Sequence, residues 1–286
     1  MGLEKISSNG IFQIVALDHR NSLRKIINPR KPESVEKEVI EEIKLKFSKV
    51  FSSQASGILL DPIYGKFAIQ AVKGKCGILI SLEDSGYEET EEGRINKLIE
   101  NFGPEKVLEM GGDAAKLLVY FNPKAKTAKN QKDLIKNVAE ECEKINLPLV
   151  CEFLVYPYKE KNFEKERSEL IIKSVKEISK LGISVLKVEF PGDVKKEKLN
   201  ELEKKCKKIS KVSSVPWVLL SKGKEFDEFK NQLKIAMQFG CSGFMVGRAL
   251  WQDYFKVENK EDFLKSECMK RLEELKSIAS KKFISE

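Results

Sequence analysis

The segment ISVLKVEF (Ile183–Phe190) combines β-branched and apolar residues, as in a buried strand, with a lysine at its centre. Gly182 opens the run and Pro191 with Gly192 closes it, so the run has the length of one strand. A buried ammonium group is unfavourable unless it is paired or loses its proton. A lysine whose surroundings lower its pKa becomes a neutral amine, which attacks carbonyls and forms Schiff bases. The segment alone fits equally well with Lys187 on a strand edge, reaching water with its ammonium group.

Short apolar runs of this kind recur along the whole chain. The runs are Ile11–Leu17, Gly57–Leu60, Gly77–Ser81, Ala114–Tyr120, Pro148–Val155, Val185–Phe190, Trp217–Leu220 and Gly243–Val246. Each run is continuous rather than alternating, which is typical of strands buried on both faces of a parallel sheet.

Amphipathic segments rich in Lys and Glu separate these runs. Helical periodicity is present at Ser34–Phe51, Phe67–Val72, Ile95–Ile99, Glu105–Glu109, Gln131–Ile145, Glu166–Lys180, Lys195–Ile209, Phe226–Phe239 and Glu261–Ser280. The alternation predicts an α/β protein, a single (β/α)8 TIM barrel forming one domain over residues 1–286. A doubly wound open sheet is the alternative, but no Gly-x-Gly-x-x-Gly turn follows the first run.

The chain has a net positive charge, and its basic residues are dispersed along the sequence. Lys and Arg total 52 against 44 Asp and Glu, for a net charge of +8 over 286 residues. Acids are interleaved with the basic residues, and no motif combines basic and aromatic residues, which favours solvated helix faces over a nucleic-acid partner. A basic balance is also weakly favourable for anionic substrates such as sugar phosphates.

The chain carries six cysteines without metal-type spacing: Cys76, Cys142, Cys151, Cys206, Cys241 and Cys268. No signal peptide is recognisable, and no apolar run approaches the roughly 20 residues of a membrane helix. We therefore expect a cytoplasmic protein with reduced thiols and no membrane partner. Barrels of this kind often associate through their outer helices, so a homo-oligomer is possible, although no apolar stripe predicts an interface.

Three ionisable residues fall inside predicted strands of the barrel. Lys116 is on the fourth strand, Glu152 on the fifth and Lys187 on the sixth. Alternate strands contribute to the same interior layers, so the two ammonium groups can approach each other and lower one pKa. Glu152 between them could carry protons in Schiff-base chemistry. A buried structural salt bridge is the alternative interpretation.

Polar residues also follow the first two strands. Asp18 could hold a substrate hydroxyl or an iminium, or it could cap the next helix. We predict that His19, Arg20 and Asp61 contact the substrate, and that Arg20, or lysines of the second and third loops, could hold an anionic tail. His19 is the only histidine, which argues against a His-based metal site or a Ser-His-Asp hydrolase. We therefore predict no metal cofactor, although carboxylates could still hold magnesium.

The last two strand ends resemble a phosphate-binding site. Ser221 and Gly223 follow the seventh strand, and Gly247 and Arg248 follow the eighth. Barrels frequently bind phosphate there, through backbone N–H groups and charge-assisted hydrogen bonds. The glycines could instead serve only in turns, with Arg248 paired to an acid.

Together these residues form an ordered set of motifs. The set is ALDHR (Ala16–Arg20), LDPIYG (Leu60–Gly65), AKLLVY (Ala115–Tyr120), LKVE (Leu186–Glu189), LSKG (Leu220–Gly223) and GRALW (Gly247–Trp251). This series resembles the tagatose 1,6-diphosphate aldolase family of class I aldolases, which includes the related sulfofructose-phosphate aldolases. The resemblance extends from about Ile11 to Trp251.

The resemblance implies a (β/α)8 barrel that uses a covalent lysine imine and no metal. It assigns the Schiff base to Lys187, acid–base catalysis to Glu152 and Lys116, and substrate positioning to Asp18. Ser221, Gly223, Gly247 and Arg248 match the site for the ketone-side phosphate. The implied reaction is reversible cleavage of a phosphorylated ketose to dihydroxyacetone phosphate and an aldehyde.

Some positions depart from the family pattern. His19 stands where the family has glutamine, Lys222 stands where it has a small residue, and the segment Leu82–Tyr87 matches only in part. These departures leave the aldehyde product open. Another Schiff-base lyase, such as a deoxysugar-phosphate or keto-acid aldolase, and a phosphosugar sensor without turnover remain alternative functions.

Overall fold

Eight parallel strands form a closed barrel in the computed structural model, which describes residues 2–280. The strands are Phe12–Ala16, Gly57–Leu60, Gly77–Ser81, Ala114–Tyr120, Leu149–Leu154, Val185–Glu189, Trp217–Leu220 and Gly243–Val246. The first strand pairs with both the second and the eighth, which closes the sheet. The predicted (β/α)8 barrel is confirmed, and every predicted strand agrees with an observed one to within one residue at each end.

The continuous apolar runs are explained by burial on both faces of each strand. Alternate residues, such as Ile14, Val150 and Val185, fill the barrel interior together with Ile6 from the N-terminal segment. The residues between them, such as Val15 and Leu186, pack outward against the helices. Apolar side chains therefore fill one end of the barrel interior, and Lys116, Glu152 and Lys187 lie farther along their strands, toward the carboxyl ends.

Helices connect the strands on the outside of the barrel. The α-helices are Asn21–Ile27, Lys37–Phe51, Lys66–Val72, Pro104–Glu109, Ala128–Lys144, Phe163–Ile178, Leu199–Val212, Phe226–Gln238, Arg248–Trp251, Lys260–Phe263 and Met269–Ser280. Short 3-10 segments are present at Leu3–Lys5, Pro32–Ser34 and Gln252–Phe255, and a π-helical turn at Leu264–Cys268 interrupts the predicted final helix. The helix predicted at Ile95–Ile99 is wrong, and the short helix after the first strand was not predicted.

A β-hairpin ends at the first residue of that predicted helix, and residues 96–99 belong to no helix. It pairs Glu88–Thr90 with Gly93–Ile95 in the loop after the third barrel strand. Gly93 has a φ of +125°, and a Cβ atom there would lie 2.5 Å from the Tyr156 hydroxyl oxygen. That hydroxyl instead accepts the N–H of Arg94 at 2.9 Å. Contacts with the distant Tyr156 therefore determine the conformation of the hairpin, and the periodicity of the local sequence cannot predict such contacts.

No helix within residues 2–280 is long and apolar enough to cross a membrane. The single domain predicted over residues 1–286 includes residue 1 and residues 281–286, which lie outside the described residues. The domain assignment stays a prediction.

Candidate active site

A cavity of about 510 Å³ opens at the carboxyl ends of the barrel strands. It is lined by ten of the predicted site residues: Asp18, His19, Arg20, Lys116, Glu152, Lys187, Ser221, Gly223, Gly247 and Arg248. Asp61 does not line it. The strand ends thus bring together residues that are more than 200 positions apart in the chain.

Lys187 lies near the floor of the cavity, on the sixth barrel strand. Its strand pairs with neighbours on both sides, and only 5% of the residue is exposed. Lys187 is directly opposite Glu152 in the strand register, and its Nζ lies 2.8 Å from Glu152 Oε2. The alternative of a solvent-exposed lysine on a strand edge is therefore wrong.

Lys116 occupies the centre of a cluster of carboxylates. Its Nζ lies 2.8 Å from Asp18 Oδ2, 2.6 Å from Glu83 Oε1 and 3.1 Å from Glu152 Oε2. Burial would lower the pKa of Lys116, but attraction to the three carboxylates outweighs burial and raises it well above its ordinary value. Lys116 is therefore held as an ammonium group.

The pKa values of the acids around Lys116 are shifted in different directions. Burial raises the pKa of Glu152 and Asp18, but Lys116 and Lys187 outweigh it and hold both pKa values below their ordinary range. Burial also raises the pKa of Glu83, and there it prevails over the attraction of Lys116. The environment thus separates two firmly ionised carboxylates from a third that binds its proton more readily.

Glu83 is the residue of this cluster that sequence reasoning did not select. It follows the third strand, in the loop whose match to the family pattern is partial. One carboxylate oxygen contacts Lys116, and the other accepts the backbone N–H of Leu118 at 3.0 Å. The sequence signal was available: an acidic residue at a strand end on the mouth of the barrel.

His19 lies beside Asp18 as a partly buried, neutral imidazole. Its Nδ1 is 3.8 Å from Asp18 Oδ1, and its ring meets Trp251 edge-on at a centroid distance of 5.2 Å. Burial, with the nearby Arg248 and Lys187 charges, lowers the pKa of His19 to about 3 against the opposing effect of Asp18. Nδ1 is buried and has no hydrogen-bond partner among residues 2–280, and His19 lines the cavity. It is therefore available to a substrate hydroxyl group.

The residues predicted to bind phosphate form a compact group at the last two strand ends. The Gly247 N–H points to Ser221 Oγ at 3.4 Å. Gly223 has a φ of +71°, and a Cβ atom there would lie 2.9 Å from the Arg248 guanidinium carbon. The close approach of backbone and guanidinium gives several N–H donors on one side of the cavity. In the part of the chain that the structure describes, Arg248 Nε is buried without a hydrogen-bond partner.

Of two further predicted site residues, Arg20 lines the cavity and Asp61 does not. Arg20 lines the cavity, and its Nη2 donates to the Glu83 carbonyl oxygen at 2.6 Å. Asp61 is completely buried outside the cavity, where it pairs with Lys44 and accepts the N–H of Tyr64 at 2.9 Å. The prediction that Asp61 contacts the substrate is not supported, because its carboxylate is fully occupied within the protein.

In the part of the chain that the structure describes, no group of three or more His, Cys, Asp or Glu side chains is arranged to hold a metal ion. The three carboxylates around Lys116 surround a cation that the protein itself supplies.

Comparison with known proteins gives a consistent result. The model of the DeoC/LacD family of aldolases matches residues 12–253. The tagatose 1,6-diphosphate aldolase of Listeria innocua is 31% identical over 282 residues, covering 91% of this chain and 83% of that protein. Tagatose 1,6-diphosphate aldolase 2 of Streptococcus pyogenes is 28% identical over 309 residues, covering 98% of this chain and 94% of that protein.

Solved structures share the fold. An archaeal fructose 1,6-bisphosphate aldolase has a TM-score of 0.67 at 17% identity, with 97% of both chains covered. A Schiff-base-forming fructose-1,6-bisphosphate aldolase has a TM-score of 0.64 at 18% identity, with 92% of this chain and 95% of that chain covered. These likenesses establish the barrel.

The barrel, its lysine-bearing cavity and these relatives define an aldolase, an enzyme of the aldehyde-lyase class. The chain belongs to the DeoC/LacD aldolase family. The resemblance inferred from the sequence motifs is confirmed.

Proposed function

We propose that this enzyme is a class I ketose-phosphate aldolase that cleaves a phosphorylated ketose reversibly through an imine on Lys187. The observation that carries the proposal is the position of the Lys187 amine. It lies in a cavity between a carboxylate 2.8 Å away and a group of anion-binding donors at the last two strand ends. Substrates related to tagatose 1,6-bisphosphate or sulfofructose 1-phosphate would give dihydroxyacetone phosphate and an aldehyde.

Substrate binding would begin at the phosphate. Ser221, Gly223, Gly247 and Arg248 all line the cavity, and their backbone N–H, hydroxyl and guanidinium groups would donate to the phosphate. Holding the ketone-side phosphate there fixes the carbonyl carbon beside Lys187, and such positioning supplies a large share of catalysis.

Imine formation needs a proton acceptor and a proton donor. Glu152 Oε2 contacts Lys187 Nζ, so it can take one proton from the Lys187 ammonium group and release the amine that attacks the carbonyl carbon. A second nitrogen proton passes to the carbonyl oxygen and gives the carbinolamine. Glu152 then gives its proton to the carbinolamine hydroxyl group, which leaves as water and gives the iminium. Lys116 stays charged throughout and stabilises Glu152 and Asp18 as carboxylates.

Carbon–carbon cleavage follows from the iminium. A carboxylate, assigned to Glu152, accepts the proton of the C4 hydroxyl, the C3–C4 bond breaks, and its electron pair moves through C2 to the iminium nitrogen. The aldehyde departs and an enamine remains on Lys187. Protonation at C3 and hydrolysis release dihydroxyacetone phosphate and restore the amine. Asp18 and His19 line the cavity beside this reaction and would hold substrate hydroxyl groups.

The chemistry requires no metal ion, because the iminium itself is the electron sink. A cytoplasmic location, association into a homo-oligomer and the absence of a nucleic-acid partner stay predictions. The relatives reported above are all named as aldolases, and none supports the alternative of a sensor without turnover.

Borohydride trapping tests the proposal directly. The protein is incubated with dihydroxyacetone phosphate, reduced with borohydride and mapped by mass spectrometry. A reduced adduct on Lys187 is expected. An adduct on Lys116 instead, or no adduct while ketose cleavage proceeds, would contradict the assigned mechanism.

A further inference from the structure

Lys222 lies between two cavities. It follows Ser221 at the end of the seventh strand and lines both the active-site cavity and a neighbouring pocket of about 280 Å³. Its Nζ is 2.5 Å from Glu189 Oε2 in that neighbouring pocket, and 39% of its side chain is exposed. The backbone of Lys222 is left-handed, with a φ of +48°. This conformation places the residue on the tip of the turn, from which a flexible side chain can point to either cavity.

Glu189 does not depend on Lys222 for its charge compensation. Its side chain is 1% exposed and also pairs with Arg167. Its other carboxylate oxygen accepts the N–H of Val155 at 3.1 Å. If Lys222 moved away, Glu189 would keep a guanidinium partner and a backbone donor. The Lys222–Glu189 pair is also partly exposed, and water screens such pairs strongly.

On the side of the active-site cavity, Lys222 lies next to several hydrogen-bond donors that can bind an anion. Gly223 is its neighbour in sequence, and the Arg248 guanidinium lies against the Gly223 backbone. Arg248 Nε is buried and has no hydrogen-bond partner within the described residues 2–280. A phosphate dianion bound there would offer oxygens to several donors at once, whereas Glu189 already has partners on both of its oxygens.

We propose that Lys222 is a phosphate-positioning residue, which leaves Glu189 and pairs with the substrate phosphate when that phosphate occupies the site. The inference rests on the proposed phosphate-binding function of Ser221, Gly223, Gly247 and Arg248. It adds Lys222 to this group of residues, as a cation that pairs with the buried carboxylate of Glu189 in this structure. Lys222 would thereby favour substrates that carry a doubly charged phosphate over uncharged ketoses.

Calorimetric titration with inorganic phosphate tests this proposal without requiring turnover. Lys222→Met keeps the length of the side chain and removes its charge, and we expect phosphate affinity to fall about tenfold. Lys224→Met is the matched control. Lys224 lies on the same turn, is 43% exposed and pairs with Glu228 at 2.7 Å, but it does not line the active-site cavity. Its loss should leave phosphate affinity unchanged.

Kinetics give a second measurement. Lys222→Met should raise KM for the phosphorylated ketose with little change in kcat, because the residue positions the phosphate and does not touch the reacting carbons. Lys222→Arg should retain most of the affinity. The proposal is overturned if Lys222→Met binds phosphate as the unaltered protein does, if Lys224→Met loses as much affinity, or if the unaltered protein binds no phosphate. Failure of the aldolase mechanism would be seen separately, as the absence of a borohydride adduct on Lys187.

Discussion

Lys116 and Lys187 share a single carboxylate oxygen: both Nζ atoms lie within hydrogen-bond distance of Glu152 Oε2, at 3.1 and 2.8 Å. Two buried ammonium groups this close would repel each other strongly without the carboxylate between them. Lys116 has Asp18 and Glu83 as further partners, whereas Lys187 has Glu152 as its hydrogen-bond partner. The two lysines are thus unequal, and Lys187 is the one whose nitrogen can be released to react.

Replacing Lys187 by Ala should abolish ketose cleavage and leave the fold intact. Glu152 keeps its contact with Lys116 in this variant, so no carboxylate is left without a partner. We expect Tm to change by no more than about 4 °C. Circular dichroism and thermal melting check the fold, and a coupled assay for dihydroxyacetone phosphate checks turnover.

Lys187→Arg is the matched control for charge. It preserves a cation beside Glu152 but cannot lose its proton, so it cannot form an imine. Both variants should lack activity and a borohydride adduct. Cleavage by either one would mean that another residue carries the Schiff base.

Replacing Glu152 by Gln should lower kcat by about 10²- to 10⁴-fold, the range usual for loss of a general acid–base group. The amide cannot shuttle a proton and no longer separates the charges of Lys116 and Lys187. Steady-state kinetics measure the loss. Glu152→Asp, which keeps a carboxylate on a shorter side chain, should recover part of it. A kcat for Glu152→Gln within threefold of the unaltered enzyme would exclude the proposed role.

His19 should make the protein less stable as the pH falls below about 6.5. In the folded protein its pKa is lowered to about 3, chiefly by burial, against an ordinary value of 6.5. Between these two pH values the unfolded chain binds a proton that the folded protein does not. The free energy of unfolding therefore decreases as the pH falls through this window, and above it His19 has no such effect.

Denaturant unfolding of the unaltered protein and His19→Gln, at about pH 7.5 and about pH 5, measures this effect. Acidification should destabilise the unaltered protein by about 1–2 kcal/mol more than the variant. An equal pH dependence of both proteins would show that the imidazole of His19 titrates normally in the folded state.

The buried pair Lys44–Asp61 should be important for stability. Both side chains are essentially inaccessible, and Lys44 Nζ also donates to the carbonyl oxygen of Leu17 at 2.5 Å. Lys44→Met would leave Asp61 as a buried carboxylate without its cation, which typically costs about 3–5 kcal/mol.

An exposed ion pair provides the comparison. Lys136 and Glu140 lie one helical turn apart, at 3.6 Å, with side chains 63% and 54% exposed. Lys136→Met should change the free energy of unfolding by about 0.5 kcal/mol or less. Chemical denaturation should therefore show a much larger decrease in the free energy of unfolding for Lys44→Met than for Lys136→Met. Similar small decreases in both variants would contradict the prediction that the buried Lys44–Asp61 pair is important for stability.

The strands of this fold were predictable because both faces of each strand are buried. Ile14 faces the barrel interior and Val15 faces the helices, so apolar residues occur at consecutive positions and the run is largely continuous over the length of the strand. The hairpin at Glu88–Ile95 was not predictable, because it depends on Arg94 packing over the rings of Tyr87 and Tyr156, at 4.1 and 4.6 Å. Tyr156 is more than 60 residues away in the chain.

The site residues on strands were predictable for a related reason. A lysine or glutamate inside an apolar strand is conspicuous, and this identified Lys116, Glu152 and Lys187. Glu83 and Asp61 are both acids that follow strands, and the sequence does not distinguish their surroundings. The structure does: Glu83 contacts Lys116 in the cavity, whereas Asp61 contacts Lys44, which lies on the helix Lys37–Phe51 outside the cavity.

The contact between Lys187 and Glu152 also bears on how little the protein must rearrange during turnover. An ammonium group and a protonated imine carry the same single positive charge on the same nitrogen. The Glu152 carboxylate beside the lysine nitrogen is therefore already in position to stabilise the charge of the covalent intermediate. When substrate is joined to the lysine, the dipoles and charges around the nitrogen can stay where they are, and a rigid barrel suffices as the scaffold.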